Sequence, residues 1–366
     1  MSQLFTPLST DRLTIRNRLM RSATAERIAD PETGAPSPAQ ADMYTALARG
    51  GIGLIVTGHA YVDRRGKAHP EMASIADDEL IAAWRETVHP AQQAGARVIM
   101  QINHSGASCD PAITPRPLSP SGVATNKQST PEAMDKDEIA SAIRAFGQAA
   151  RRAREAGLDG VQIHGAHGYL ITQFLSTLTN QRDDEWGGDE VRRRAFLHAV
   201  VAEIRRQVGD DYPLWIKLGV AGSAQSGLTL DQGARVAAAC VEYGIDGIEI
   251  SNGWGMPEEV DLEQDGAFRP LAKAVRAAVG PGYPLALVNG FRTRAAMEAA
   301  LENDLVQMVS LCRPLIAEPD LPGKLQSGQK KVTCVRCNHC WPQEAGLGVR
   351  CRNAKVLRQL SPHQQK

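Results

Sequence analysis

The stretch Gly160-Val-Gln-Ile-His-Gly-Ala-His-Gly-Tyr169 opens as a short, mostly apolar run and ends in a turn that carries two imidazoles and a phenol. Gly160–His164 has the length of a strand buried on both faces, as strands in parallel sheets are. Its neighbours read as helices: Asp137–Ala156 before it and Glu190–Gln207 after it both show helical periodicity with polar outer faces. Working outward, the same strand-then-helix unit recurs. Strand-length runs lie at Leu19–Ala23, Leu54–Gly58, Val98–Ile102, Leu214–Leu218, Gly247–Ser251, Leu285–Asn289 and Val306–Leu311, which with Gly160–His164 makes eight. Helical segments fall between them at Met43–Ala48, Asp78–Ala94, Leu230–Tyr243, Pro270–Val279 and Thr293–Leu301, several closing on glycine, as at Gly50, Gly95, Gly157 and Gly244.

Eight repeats of this unit predict an α/β fold, a (β/α)8 TIM barrel, which commonly occupies about 250 residues. The remainder is an N-terminal arm, a Pro- and Ser-rich loop over Ser105–Met134 and a C-terminal appendage. An open doubly wound sheet is the rival, but neither GxGxxG nor GxxxxGK[ST] occurs in the chain. The expected organisation is a barrel over 1–326 followed by a C-terminal extension over 327–366.

The 366 residues include 41 basic and 41 acidic side chains, 43% hydrophobic residues and 22% charged ones, which excludes wholesale disorder. Balanced charge advertises neither a nucleic-acid partner nor an anionic membrane. The basic stretch from Cys351 to Lys366 reads as a solvated end. The longest apolar runs, such as Gly51–Thr57, are far shorter than a membrane helix, and Met1–Thr10 has no secretory pattern, so the expected compartment is the cytoplasm.

In a barrel, chemistry belongs at the C-terminal ends of the strands. There the chain offers Ala23–Ala25, Gly58–His59, Gln101–His104, His164–Tyr169, Lys217, Ser251–Trp254, Asn289–Gly290 and Cys312–Arg313. Asn289-Gly290 and Cys312-Arg313 follow the seventh and eighth strands, where backbone N–H groups beside an arginine suit a phosphate. His164, His167 and Tyr169 share one turn and can converge on a carbonyl or anionic oxygen, with Tyr169 able to deliver a proton. The same histidines could instead be core residues or chelate a metal, although no carboxylate ligand stands beside them in the sequence. Gln101 and Lys217 together could read the carbonyl and imide edge of a heterocycle.

These residues give the chain a specific resemblance. It resembles the Old Yellow Enzyme family of FMN-dependent NAD(P)H:flavin oxidoreductases (ene-reductases) from Leu4 to about Gly323. The resemblance rests on Asn17-Arg18, Gly50-Gly51-Ile52-Gly53-Leu54-Ile55 and Gln101-Ile102-Asn103-His104-Ser105-Gly106. It continues through His164-x-x-His167-x-Tyr169-Leu170-x-x-Gln173-Phe174-Leu175 and Thr179-Asn180-Gln181-Arg182-x-Asp184-Glu185-Trp186-Gly187-Gly188 to Arg313-Pro314-Leu315-Ile316-x-Glu318-Pro319-Asp320-Leu321. It implies a non-covalent FMN at the barrel mouth. Ser22, Ala23 and Thr24 would line the flavin, with Gly58 close beside it and Gln101 on its pyrimidine edge. Lys217 would stand near N1/O2, and Asn289, Gly290, Cys312 and Arg313 would hold the phosphate. His164 and His167 would grip the carbonyl of an α,β-unsaturated substrate and Tyr169 would protonate its α-carbon, with NAD(P)H as co-substrate in a ping-pong cycle.

The chain departs from the family pattern at three places. Ala25 stands where relatives often have a hydrogen-bonding side chain, His59 replaces a small residue beside the flavin, and Cys312 replaces a frequent glycine. Association into homo-oligomers is left open.

Cys334-x2-Cys337-x2-Cys340-x10-Cys351 is dense enough to hold an iron–sulfur cluster or zinc, with His339 inside the motif, or to remain a metal-free thiol group. It is similar to the cluster segment of the larger 2,4-dienoyl-CoA reductase and trimethylamine dehydrogenase relatives, as is the Asn180–Gly188 stretch, but the spacing of the second and third cysteines is one residue shorter. Two other functional classes compete with the ene-reductase: a phosphate-binding barrel lyase with Lys217 as Schiff-base residue, and a thiol-based redox sensor. Within flavin chemistry, amine oxidation or demethylation is a further alternative.

Overall fold

The computed structural model describes residues 2–125, 130–224, 227–342, 344 and 346–360. Part of the Ser105–Met134 loop and the end of the basic tail, 361–366, therefore lie outside the described residues.

Every strand expected from sequence is present. We number the barrel strands β1 (Leu19–Arg21), β2 (Leu54–Val56), β3 (Arg97–Asn103), β4 (Val161–Gly165), β5 (Leu214–Ala221), β6 (Gly247–Asn252), β7 (Leu285–Leu287) and β8 (Met308–Leu311). Each pairs in parallel with the next, β8 pairs with β1, and the pairing of β2 with β3 leaves no gap, so the sheet closes on itself. This is the (β/α)8 barrel. Helices α1 (Pro38–Arg49), α2 (Leu80–Gln93), α3 (Lys136–Glu155), α4 (Leu170–Leu175), α5 (Glu190–Val208), α6 (Leu230–Glu242), α7 (Arg269–Val279) and α8 (Arg294–Leu301) follow along the chain. Short helices α9 (Arg313–Ala317) and α10 (Leu321–Gln326) come after β8, and α11 (Ala354–Leu360) lies in the extension. No helix among the described residues is long and apolar enough to cross a membrane.

Capping chemistry sets several helix starts. Ser37 with Gln40, Asp135 with Glu138 and Thr229 with Gln232 form capping boxes, each satisfying otherwise orphaned backbone N–H groups. The first of these, followed by Pro38, starts α1 five residues before the Met43 expected from periodicity. At the end of α1, Gly51 rather than Gly50 takes the left-handed conformation (φ 97°). Gly50 is needed for a different reason: a Cβ there would lie 2.1 Å from the Pro319 carbonyl oxygen at the approach to α10.

Side chains alternate along each strand between the helix layer and the barrel interior. Outward residues such as Leu19, Ile55, Val98, Ile163, Ile216, Ile250, Leu287 and Val309 pack into the main core beneath the helices. Inward residues at the N-terminal end form a second apolar cluster: Met20, Leu54, Val56, Ile99, Trp215, Ala286 and Met308. A two-stranded antiparallel hairpin, Leu8–Ser9 with Thr14–Ile15, closes that end and adds Leu8, Leu13 and Ile15 to the cluster.

The chain after α10 returns to the barrel mouth. Thr293 and Lys331 form an antiparallel bridge, the Val332 N–H donates to the Arg292 carbonyl, and the Val349 N–H donates to the Glu26 carbonyl.

Candidate active site

Two residues further along the inward-facing positions, polar groups replace the apolar ones. Gln101 on β3, Gln162 on β4, Lys217 on β5 and Glu249 on β6 join Ser22 and Ser310, just beyond β1 and within β8, in one buried layer. Gln101 Nε2 donates to Gln162 Oε1 (2.7 Å), and Gln162 Nε2 donates to Glu249 Oε2 (3.0 Å). The other Glu249 oxygen accepts from Ser22 Oγ (2.6 Å), Ser310 Oγ (2.8 Å) and Lys217 Nζ (3.2 Å), while Lys217 also donates to Ser22 Oγ (2.7 Å). Burial alone would raise the Glu249 pKa; the Lys217 charge and the three side-chain donors outweigh it and hold the carboxyl below its usual range. A lysine bound to a carboxylate in this way is a poor candidate for a Schiff-base nucleophile, which needs a free amine, and the lyase reading loses its main residue.

Above this layer is a cleft of about 330 Å³. Of the residues expected there, Ser22, Ala23, Thr24 and Gln101 line one part of it. His164, His167, Tyr169 and Lys217 line another, and Asn289, Gly290, Cys312 and Arg313 form its far end. Gly58 does not line it. Its N–H donates to Glu26 Oε1 (2.8 Å), and a Cβ there would fall 1.8 Å from Glu26 Oε2, so this glycine serves the packing of a buried carboxylate. Glu26 in turn pairs with Arg21 (2.8 Å) and accepts from Tyr44 Oη (2.9 Å).

The turn after β4 brings its three rings together as expected. The rings of His164 and Tyr169 meet edge to face at 4.8 Å, and those of His164 and His167 at 5.1 Å. His167 reaches this position with a left-handed backbone (φ 59°), and its Nε2 lies 3.0 Å from Ser251 Oγ. His164 Nδ1 accepts the Ala166 N–H (3.3 Å), which leaves the ring proton on Nε2. Burial, then the His167, His59 and Lys217 neighbours, push the His164 pKa well below the ordinary imidazole value. His167 is lowered too, by burial and then by Lys217; since it keeps open surface along the cleft, its shift is the more sensitive to what fills the cleft. Tyr169 is pushed up to about 12, by burial and then by Cys109, so its phenol keeps its proton at neutral pH.

The far end suits an anion. Asn289 and Gly290 both have positive φ (83° and 80°), and the backbone N–H groups of Gly290 and Cys312 find no acceptor among the described residues. Arg313 stands beside them and donates from one nitrogen to Asn338 Oδ1 (2.8 Å). Anion donors at one end, with an amide and an ammonium on the floor, make a donor set that fits a phosphorylated heterocycle such as FMN.

The four clustered cysteines, Cys334, Cys337, Cys340 and Cys351, surround a small separate cavity with His339 and Arg313. They are free thiols, with Cys337 exposed and its Sγ accepting from Asn353 Nδ2 (3.2 Å). No group of three or more His, Cys, Asp or Glu residues placed to hold a metal ion occurs among the described residues, so zinc or an iron–sulfur cluster has no support here: the sulfurs ring a cavity without forming a ligand set.

Sequence reasoning missed Glu249 and Gln162. Both lie inside runs that read as apolar strands, and the available signal was a charged or amide residue at an inward position of such a strand. It also missed Val332, Arg336 and Trp341, which line the cleft from the returning C-terminal segment.

Comparison with known proteins adds to this geometry. The model of the NADH:flavin oxidoreductase / NADH oxidase family matches residues 3–331. The NADH oxidase of Thermoanaerobacter brockii is 34% identical over 336 residues, covering 89% of this chain and 51% of that protein. The NADPH dehydrogenase of Halalkalibacterium halodurans is 32% identical over 324 residues, covering 87% of this chain and 93% of that protein. Among solved structures, a 2-naphthoyl-CoA reductase in complex with 2-naphthoyl-CoA superposes with a TM-score of 0.85 at 27% identity, covering 90% of this chain and 54% of that one. The chain thus spans about half the length of the NADH oxidase and nearly the whole of the NADPH dehydrogenase.

Proposed function

The chain belongs to the NADH:flavin oxidoreductase / NADH oxidase family, and from that premise we propose that it is an FMN-dependent oxidoreductase that uses NAD(P)H to reduce an activated C=C bond of an α,β-unsaturated carbonyl compound. When bound, FMN would supply the two-electron redox chemistry that couples NAD(P)H oxidation to alkene reduction in a ping-pong cycle. The protein's own groups do the rest. Ser22, Ala23, Thr24 and Gln101 hold the heterocycle. Lys217, itself anchored by Glu249, would supply positive charge to it. The free N–H groups of Gly290 and Cys312, with Asn289 and Arg313, hold the phosphate.

His164 and His167 bind the substrate carbonyl oxygen and stabilise the negative charge that moves onto it as the β-carbon is attacked. Tyr169, a phenol that stays protonated, gives its proton to the α-carbon. The observation that carries this reading is the wall of rings: neutral donors and a protonated acid, packed edge to face within 4.8–5.1 Å of one another on one side of the cleft.

The test is an absorption spectrum of the purified protein before and after heat denaturation, followed by anaerobic NADH and NADPH oxidation with 2-cyclohexenone. Flavin bands released into the supernatant as FMN, and turnover that depends on the enone, are the expected results. A colourless protein that takes up no added FMN would overturn the reading.

A further inference from the structure

The thiols beside the phosphate end of the cleft have no assigned work. Cys334, Cys337, Cys340 and Cys351 line one small cavity, which shares Cys334 and Arg313 with the cleft itself. Arg313 ties the two spaces together: its guanidinium donates to Asn338 Oδ1 (2.8 Å) and to the Arg336 carbonyl (3.4 Å), on either side of Cys337. Both of those neighbours hold a left-handed backbone, at φ 58° for Arg336 and 61° for Asn338, which is unfavourable for any residue with a Cβ. The turn therefore depends on its hydrogen bonds, those to Arg313 among them, to keep its shape. Its thiols are not equivalent. Cys337 is exposed, and the His339 N–H, the Asn353 amide (3.2 Å) and the nearby Arg313 charge hold its pKa below the ordinary thiol value. Burial pushes Cys334 and Cys340 the other way. An accessible, easily ionised cysteine is the nucleophile of a thiol pair. Cys334 is its partner by position: the two form a Cys-x-x-Cys arrangement, line the same cavity and lie close enough for the charge of one to act on the other.

We infer that Cys337 and Cys334 form a reversible disulfide when the protein meets a hydroperoxide, and that closing this bridge slackens the phosphate end of the cleft. The inference rests on the flavin reading above and deepens it with a control on cofactor retention. The Cys337 thiolate attacks the terminal peroxide oxygen, the O–O bond breaks, and the other oxygen leaves as an alcohol or water after taking up a proton. The resulting sulfenic acid is attacked by the Cys334 sulfur, the S–S bond forms, and the sulfenic oxygen departs as water. The two thiols together lose two electrons and the peroxide gains them; a dithiol reductant reverses the change. Bringing the sulfurs to bonding distance, about 2.05 Å, rebuilds the turn between them. Arg336 lies inside that turn, with its N–H on the Cys334 sulfur and its carbonyl on Arg313. Arg313 thereby loses the partners that steady it at the phosphate, and a phosphorylated flavin is held less tightly.

The decisive experiment reads the thiols directly. The purified protein is treated with hydrogen peroxide, alkylated and mapped by mass spectrometry. The expected result is the loss of two alkylatable thiols with Cys334 and Cys337 joined, restored by dithiothreitol and absent in Cys337→Ser. Flavin fluorescence then follows cofactor release. Peroxide-treated wild type should lose FMN about tenfold faster than the reduced protein, the weight of one hydrogen bond to a charged group, while Cys337→Ser should release it at one rate with or without peroxide. Riboflavin, which lacks the phosphate, should bind the reduced and oxidised proteins alike. A bridge that omits Cys334 or Cys337, iron or zinc bound at the four thiols, or FMN release indifferent to the bridge overturns the proposal. Failure of the flavin reading would appear separately, as a protein that forms the disulfide but takes up no FMN in either state.

Discussion

The lower and upper halves of the barrel interior are built by the same strands, two residues apart, and they have opposite chemistry. Met20 gives way to Ser22, Ile99 to Gln101, Trp215 to Lys217 and Met308 to Ser310. Below, seven apolar strand residues and three from the N-terminal hairpin fill the barrel without a polar side-chain atom to satisfy beyond the Trp215 indole nitrogen, which has no partner. Above, a carboxylate, an ammonium, two amides and two hydroxyls are joined by a connected set of hydrogen bonds centred on Glu249. The difference teaches that stability and site are assigned to opposite ends of each strand, with only a single pleat between them.

Four changes would break or sharpen that division. The largest effect is expected from Glu249→Ala, which leaves Lys217 buried without its carboxylate. It should cost about 3–5 kcal/mol in denaturant unfolding and abolish flavin retention, since removing one partner of a buried pair exposes the other's full desolvation penalty. If Glu249→Ala unfolds like the wild type, the upper layer is not the connected unit described above. Next, Met20→Ala in the lower half should cost about 3 kcal/mol through the cavity it opens, yet leave flavin content and ligand affinity as they were. A change in ligand affinity would mean the two halves are coupled.

Third, Tyr169→Phe removes only a hydroxyl and should slow the substrate half-reaction about a hundredfold, with flavin reduction by NAD(P)H much less affected. Stopped-flow traces of the two half-reactions separate these, and equal slowing of both would remove Tyr169 as the proton donor. The smallest effect is on pH dependence. His59 is lowered to about 4, by burial and then by Arg27, so between that value and the ordinary ~6.5 the unfolded chain binds a proton that the folded chain refuses. Its stabilisation is complete above about 6.5 and falls as pH drops toward 4, by about 1.4 kcal/mol per pH unit. His164 is lowered in the same direction and adds to the slope. Denaturation midpoints from pH 7.5 to 5 should decline with acid in the wild type and less steeply in His59→Gln. Met20→Ala should shift the whole curve without changing its shape, because the lower cluster holds nothing that titrates.

The fold was legible because outward-facing strand residues such as Ile163, Ile216 and Ile250 must be apolar against the helices, and they dominate each run. The inward-facing residues were not legible in the same way. Gln162 and Glu249 each sit between apolar neighbours, and nothing local tells whether a lone polar residue faces a core or a cleft. Their partners come from other strands, at separations of 61 residues for Gln101–Gln162 and 87 for Gln162–Glu249. The turn from His164 to Tyr169 was readable because all its groups are consecutive. The contact of Gly58 was not readable for the converse reason: its close approach is to Glu26, 32 residues earlier, and that contact depends on how the loop after β1 folds back. The orientation of the His59 ring likewise depends on Asn103, 44 residues away.

The connected set of bonds around Glu249 also bears on how this chain can be re-engineered. Ser22, Gln101, Gln162, Lys217, Glu249 and Ser310 come from six different strands or strand ends, yet each completes another's valence, so they behave as one locus. Single-site libraries at Lys217 would sample mostly variants that strand a carboxylate, and their apparent intolerance would say little about the position itself. Pairwise libraries, with Lys217 and Glu249 varied together, reach the neutral combinations that one-step walks cannot.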